Sequence, residues 1–189
     1  MGGDQESSIQ WPTLALLFNV KSATSCTVSI LSSLWLVTSH SCLAPSADPL
    51  QWVLFGGPSG NRRDNKTQIR IVRDIISHPR ARKDQHLNAY DVALVRLHDP
   101  LQFSGEVGSL CLAKEEVSPR QLCVSAGWAE TGAGVSFQQY ATYLPEPLVP
   151  TATCNSSSLY NGQLTEGMVC SKANGDSAIC HVSLILFLE

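Results

Sequence analysis

The sequence predicts an all-β protein, because short apolar segments rich in Val, Ile and Leu alternate with turn residues along most of the chain. The clearest of these segments is Cys26–Cys42, where two apolar runs flank Ser32 and Ser33, as is typical of a β-hairpin. A second is Gln68–His78, whose four isoleucines favour a strand. The chain therefore has the composition of a sheet protein rather than of a helical one.

The remaining strands follow from the same pattern. Pro12 and the near-continuous apolar run after it favour a strand over a short amphipathic helix at the start. Pro145, Pro147 and Pro150 favour an edge position for a later strand, because proline cannot donate to the hydrogen-bond ladder. The apolar run after Pro12 predicts a strand at Leu14–Val20.

Composition excludes several classes of function. The chain has 189 residues, 43% hydrophobic and 15% charged, which fits one globular domain or two small, closely packed halves. A net charge of −3 gives no overall basic balance for nucleic acid or an anionic membrane, so partners are expected to be proteins. The apolar tail Val182–Leu188 is too short to cross a bilayer. The polar start, Gly2–Gln10, does not resemble a secretory signal, so we expect a domain of a longer protein or an isoform that begins at an internal Met.

The cysteines point outside the cell. Seven cysteines is a high number for a cytosolic enzyme without C-x-x-C spacing. Glycosylation sequons begin at Asn65 and Asn155, in polar stretches that are expected to be exposed loops. No pair of His or Cys residues has metal-ligand spacing, so neither a metal site nor a cofactor is predicted.

Three segments carry a resemblance to a known family. Trp35–Cys42 resembles W-[VI]-L-T-A-A-H-C, Tyr90–Leu97 contains D-V-A-L-V-R-L, and Cys123–Trp128 resembles C-x-x-[TA]-G-W. These are motifs of the trypsin-like, chymotrypsin-fold serine proteases. The resemblance implies two β-barrels in a single protease domain, with the second barrel incomplete at the C-terminus. It also implies strands at Gln51–Gly57, Val92–Leu97 and Tyr140–Val149. The first barrel and the crossing would span about 1–110, the partial second barrel about 111–180, and a divergent tail 181–189.

The resemblance also implies a disulfide arrangement. The family pairs the cysteines that correspond to Cys26 with Cys42 and to Cys154 with Cys170. The three that remain are Cys111, Cys123 and Cys180. Cys111 is then a free thiol or an intermolecular bridge, and a substitute bridge between Cys123 and Cys180 stays open as an alternative.

The triad that the family uses is altered in this sequence. Asp91 occupies the position of the triad aspartate, whose role is to orient the catalytic histidine. Ser41 stands where that histidine is expected, and His40 lies one residue earlier. Because successive side chains on a helical turn diverge by roughly 100°, the shift directs His40 elsewhere. We therefore interpret His40 as a loop or packing histidine and expect Asp91 to be hydrated or held by backbone N–H groups.

The nucleophile motif is also altered. The family has G-D-S-G-G, whereas Ser177 is followed by Ala178 and Ile179, and a β-branched residue does not suit the tight turn required there. The resulting prediction is a protease homologue without endopeptidase activity, either a binding domain or an isoform. Two alternatives remain: a residual serine endopeptidase that uses His40, Asp91 and Ser177, and a poorly folded fragment without molecular function.

Overall fold

Six antiparallel strands in the first half of the chain close into a barrel, in the order β1-β2-β3-β6-β5-β4. The computed structural model describes residues 11–43, 48–57, 66–81, 89–114, 122–128, 141–165, 167–172 and 185–186. The barrel strands are β1 (Leu14–Asn19), β2 (Ser25–Ile30), β3 (Trp35–Thr38), β4 (Trp52–Gly56), β5 (Gln68–Ser77) and β6 (Ala93–Leu97). A short helix, α1 (His40–Leu43), follows β3, and a 3-10 helix, Pro49–Gln51, precedes β4.

The barrel encloses the main apolar core. Strand residues alternate between the inside and the outside of the barrel, so every second residue of a strand faces the core. Fully buried side chains from five strands meet at the centre: Leu17, Val28, Leu36, Leu54 and Val95. Trp52 is the largest of the buried side chains. The expected strands of this half are confirmed, with ends that shift by one or two residues. Gln51, for example, belongs to the 3-10 helix, and β6 begins at Ala93.

The second sheet has four strands among the described residues, in the order β10-β7-β8-β9. They are β7 (Leu122–Gly127), β8 (Thr142–Val149), β9 (Cys170–Ser171) and β10 (Ile185–Leu186), and α2 (Thr151–Cys154) follows β8. With a closed barrel and this partial sheet, the fold is the expected all-β one. The pairing of Ile185 with Ser125 shows that the divergent tail contributes a short strand to the sheet.

The predicted edge position of the proline-rich strand is confirmed in part, because among the described residues only the end of β8 lies between two strands. This strand pairs with β7 along its entire length and with β9 at Leu148 and Val149. The prolines are accommodated because antiparallel residues alternate between facing one neighbour and facing the other. The carbonyl of Pro147 accepts from the N–H of Lys172, so Pro147 faces β9, and so does Pro145 two residues earlier. Pro145 and Pro147 have no backbone N–H, but the hydrogen bonds between β8 and β7 do not use these positions.

A buried carboxylate joins three strands of the second sheet. Glu146 on β8 is only 7% exposed and accepts hydrogen bonds from the hydroxyls of Ser125 on β7 and Ser171 on β9. Cys123 lies opposite Glu146 in the sheet. Burial and the neighbouring Glu146 carboxylate raise the pKa of the Cys123 thiol, which keeps the thiol protonated and poorly reactive.

The barrel and the second sheet pack against each other through a second apolar cluster. Leu14 and Leu16 on the outer side of β1 form one cluster with Ala126, near the end of β7, and with Trp128, just after it. The two units also meet at Thr27, whose hydroxyl accepts from the N–H of Trp128 at 3.4 Å. The outer face of β1 is therefore an interface between the two units rather than a free surface.

Candidate functional site

A disulfide fixes the segment that carries the first candidate residue. Cys26 on β2 is bonded to Cys42 in α1, as expected. Leu43 at the end of α1 is 1% exposed and packs into the barrel core. These two anchors hold the single helical turn against β2, and Ser41 lies on its exposed side.

The second candidate residue lies where the chain enters β6. Asp91 follows Tyr90, which has a φ of +58°, a left-handed conformation that is unfavourable for a bulky residue. The ring of Tyr90 is stacked on the imidazole of His78, with centroids 4.9 Å apart, and the Arg80 guanidinium lies 5.4 Å from its centroid. His78 also donates its backbone N–H to the carbonyl of Val92. The stack thus holds the turn that presents Asp91.

Ser41 binds both carboxylate oxygens of Asp91. Its backbone N–H donates to Oδ1 at 2.6 Å, and its hydroxyl donates to Oδ2 at 2.7 Å. Hydrogen bonds to a charged acceptor are shorter and stronger than neutral ones. The expectation that backbone N–H groups hold Asp91 is confirmed for one oxygen, and the hydroxyl of the same residue takes the other.

His40 lies in a different pair. Its Nδ1 is hydrogen-bonded to the Ser77 hydroxyl at 2.8 Å, and no hydrogen bond joins His40 to Asp91 within the described residues. Sequence reasoning missed Ser77, because the β-bulge in β5 determines which side chains reach α1 and this irregularity has no sequence pattern. The structure thus brings together Ser41 with Asp91 and His40 with Ser77, as two separate pairs.

Some candidate residues lie outside the described residues, namely Asn65, Ser177 and Cys180. Cys154 and Cys170 form the second expected disulfide. Cys111 is exposed and forms no disulfide with any residue in the described ranges.

Asn155 begins a loop whose residues are mostly exposed, as expected, but its own side chain is not free. It is half-buried at the end of α2, and its Oδ1 accepts from the N–H of Leu164 at 3.0 Å while its Nδ2 donates to the carbonyl of Leu164. These two bonds close the loop between Cys154 and Cys170. The amide nitrogen that would carry a glycan is thus part of the loop structure.

Replacing Asp91 by Ala should destabilise the protein by about 1–2 kcal/mol, because two donors of Ser41 lose their acceptor. The matched variant Ser41→Ala keeps the backbone bond and should cost less, about 0.5–1 kcal/mol. Urea unfolding of the two variants measures both values. Equal stability of Asp91→Ala and the unmodified protein would show that the pair contributes nothing to the fold.

The sequence matches the model of the family named Trypsin over residues 1–181. The chain belongs to the trypsin family. Its domain is a chymotrypsin-fold serine protease domain, with a six-stranded closed barrel followed by a partial second sheet.

Three trypsin-family relatives show the extent of the similarity. The chain is 33% identical over 181 residues to transmembrane protease serine 5 of Homo sapiens, which covers 90% of the chain and 38% of the relative. It is 30% identical to transmembrane protease serine 11G of Rattus norvegicus, covering 89% of the chain and 40% of the relative. It is 29% identical to transmembrane protease serine 11C of Mus musculus, and this match covers 90% of the chain and 38% of the relative. The chain thus spans about two fifths of the length of the curated relatives it matches.

Three further observations describe this trypsin-family domain. Its disulfides fit an extracellular or secretory location, where such bonds persist. Within the described residues, no helix combines the length and apolarity that a membrane crossing requires. The same part of the chain holds no group of three His, Cys, Asp or Glu residues that could bind a metal ion.

Proposed function

We propose that this trypsin-family domain is a protease homologue without endopeptidase activity. The observation that carries the proposal is the pair of hydrogen bonds from Ser41 to both oxygens of Asp91. In the triad, the aspartate orients a histidine that accepts the proton of the nucleophile. Here a serine residue takes the place of that histidine. A hydroxyl that donates to a carboxylate does not accept a proton near neutral pH, so the general base is missing.

The other parts of the site support the same proposal. His40 is bonded to Ser77 instead of Asp91, so no carboxylate fixes its tautomer among the described contacts. In the sequence, Ser177 is followed by Ala178 and Ile179, which do not supply the glycine turn of the family's nucleophile motif. Loss of the base alone lowers hydrolysis by several orders of magnitude in a Ser-His-Asp enzyme.

The setting and purpose of the domain belong to the same proposal. We place it in the secretory pathway or outside the cell, as a truncated isoform or protease-like domain that acts by binding another protein. Glycosylation is proposed at Asn65, whereas Asn155 would first have to release Leu164. Cys111 is exposed and could join a second chain through a disulfide.

A fluorophosphonate probe tests the absence of activity, because it labels only serines that a neighbouring base activates. The unmodified protein, Ser177→Ala and His40→Ala are treated with the probe, and hydrolysis of chromogenic peptides is followed in parallel. We expect no labelling and no hydrolysis above the buffer rate in any of the three. Active bovine trypsin serves as the positive control.

Stoichiometric labelling that maps to Ser177, and that is lost in both Ser177→Ala and His40→Ala, would establish the residual endopeptidase instead. Near-UV circular dichroism and a thermal melt of the same sample distinguish a folded inactive domain from a poorly folded fragment. A folded domain gives a structured near-UV spectrum and a cooperative transition. A featureless spectrum with no transition would overturn the proposed binding domain.

A further inference from the structure

The outer surface of β5 and β6 exposes apolar side chains. Ile69, Ile71 and Ile76 of β5 are 44%, 55% and 50% exposed, and Leu94 of β6 is 37% exposed. Together with Arg73, these residues are called the β5–β6 face. Single exposed apolar residues are normal on a protein surface, but a contiguous set marks a contact site.

A β-bulge places these residues on the same side of the barrel. Ile71 and Ile76 are five residues apart, and in a regular strand an odd spacing puts side chains on opposite faces. The register shifts between Val72 and Asp74, which adds one residue to β5 and restores Ile76 to the outer face. Ile76 then lies directly opposite Leu94, at cross-strand contact distance.

The outer face of β1 provides the comparison within the same barrel. Its residues Leu14 and Leu16 are 0% and 2% exposed because the second sheet covers them. Val53 and Phe55 on β4 join that covered cluster. The outward apolar residues of β5 and β6 are similar in kind but remain exposed.

The β5–β6 face lies in a basic part of an acidic chain. Residues 66–81 hold four basic side chains and one acidic side chain, a net charge of +3, whereas the whole chain has a net charge of −3. The residues outside this segment together therefore carry −6. Of these four cations only Arg73 lies on the face, and with Arg96 and Asp74 it leaves a local excess of one positive charge there. This excess favours a partner of the opposite sign.

Two of the cations are only partly neutralised. Arg73 and Arg96 both lie near Oδ2 of Asp74, at 3.6 Å and 3.9 Å, so two guanidinium groups share one carboxylate. Nε of Arg96 has no hydrogen-bond partner within the described part of the chain. Lys66, by contrast, is paired with Glu106 at 2.6 Å, and this ion pair holds the pKa of Glu106 below its usual range.

Arg70 is not part of this face. It alternates with Ile69 and Ile71 along β5 and lies opposite Leu54, which faces the inside of the barrel, so its side chain leaves the other side of the strand. Its guanidinium donates to the carbonyls of Pro100 and Ile69 and to the side-chain oxygen of Gln68. The cations beside the exposed isoleucines are therefore Arg73 and Arg96.

We propose that the β5–β6 face binds an extended acidic segment of a partner protein, with apolar side chains between its carboxylates. The apolar side chains would cover Ile71, Ile76 and Leu94, and the carboxylates would pair with Arg73 and Arg96. Guanidinium groups bind carboxylates with bidentate geometry, which favours this partner.

The isoleucines favour a peptide over other anions. A sulfated polysaccharide would satisfy the arginines but has no apolar groups to cover the exposed isoleucines. An anionic membrane is bound by protruding loops or amphipathic helices with aromatic residues rather than by the side of a barrel. Binding of a peptide to this face does not depend on whether the domain hydrolyses peptides. The binding experiment and the activity experiment can therefore fail separately.

The test uses a fluorescein-labelled peptide of glutamate, leucine and phenylalanine residues, with binding followed by fluorescence anisotropy. We expect a Kd on the order of 10 μM, and weaker binding when the NaCl concentration is raised from about 50 to about 300 mM. Two matched peptides replace every glutamate by lysine or every apolar residue by serine. Each should bind at least about tenfold more weakly, because each loses one of the two kinds of contact.

Variants locate the site on the protein. Arg73→Glu and Ile71→Ser should each weaken binding of the acidic peptide by about tenfold. The control Lys21→Glu makes the matching reversal of charge, and Val20→Ser the matching loss of an apolar side chain, at exposed positions away from the face. Both should leave Kd within about twofold. Thermal melts confirm that all four variants fold.

Several results would overturn the proposal. One is no binding of the acidic peptide to the folded protein, and another is equal loss of binding in the control variants. A third is that heparin or phosphatidylserine vesicles bind more tightly than the acidic peptide, and that this binding is lost in Arg73→Glu but not in Ile71→Ser. That result would assign the face to a polyanion without apolar groups or to a membrane.

Discussion

Removing the Cys26–Cys42 disulfide is expected to lower the free energy of unfolding by about 3 kcal/mol, the largest effect among the variants considered. The bond closes a segment with a sequence separation of 16, and its loss releases the entropy of that loop in the unfolded chain. Urea unfolding of the double variant Cys26→Ala/Cys42→Ala measures the change. Cys26 is also 1% exposed in the core, so some packing is lost as well.

The second disulfide supplies a matched control. Cys154 and Cys170 have the same sequence separation of 16, so chain entropy alone predicts a similar loss of stability for Cys154→Ala/Cys170→Ala. Only the first double variant should also release α1 and with it Ser41. Amide hydrogen exchange at Ser41, whose N–H donates to Asp91, should therefore accelerate in the first variant and not in the second. Unchanged protection at Ser41 in both would show that the disulfide does not position the site.

Gly127→Ala is expected to destabilise the protein by about 1–3 kcal/mol, because the new Cβ has no room at the junction of the two units. An ideal Cβ at Gly127 would lie 2.7 Å from Oγ1 of Thr27. Rotating Thr27 does not help, since its Cβ and its methyl group both lie 3.4 Å away and the residue is 5% exposed. The junction would have to open, which loosens the contact between the barrel and β7.

A double-mutant cycle isolates this contact. In a Thr27→Ala background, which removes Oγ1 and the methyl group, Gly127→Ala should cost at least about 1 kcal/mol less than in the unmodified protein. Gly105→Ala is the control, because no atom lies within 4 Å of its ideal Cβ, and its effect should stay within about 0.5 kcal/mol. Additive effects of Thr27→Ala and Gly127→Ala would show that the two residues do not contact each other.

The strands of the barrel could be predicted from the sequence because each is a short apolar run bounded by turn residues. The disulfides, by contrast, followed from family resemblance and not from the residues alone. The position of Asp91 before β6 and its contact with a backbone N–H were also anticipated. In each case a local pattern, or a motif with fixed spacing, carries the information.

What the sequence did not predict depends on contacts between distant segments. The partner of His40 is Ser77, which is 37 residues away and is brought there by the bulge in β5. The placement of β8 inside its sheet depends on β9, a strand of only two residues that has no pattern of its own. The exposed side of β5 likewise becomes visible only when the register is known, because a single added residue changes which isoleucines face outward.

The prolines of β8 have a consequence for the protein in concentrated solution. A flank of a sheet that displays a row of N–H donors is a template for strands of other chains, and fibrils grow from such templates. On the β9 side of β8, Pro145 and Pro147 offer no donors at two of the positions that an incoming strand would need. These two prolines therefore make this flank of β8 a poor template for a strand from another copy of the protein.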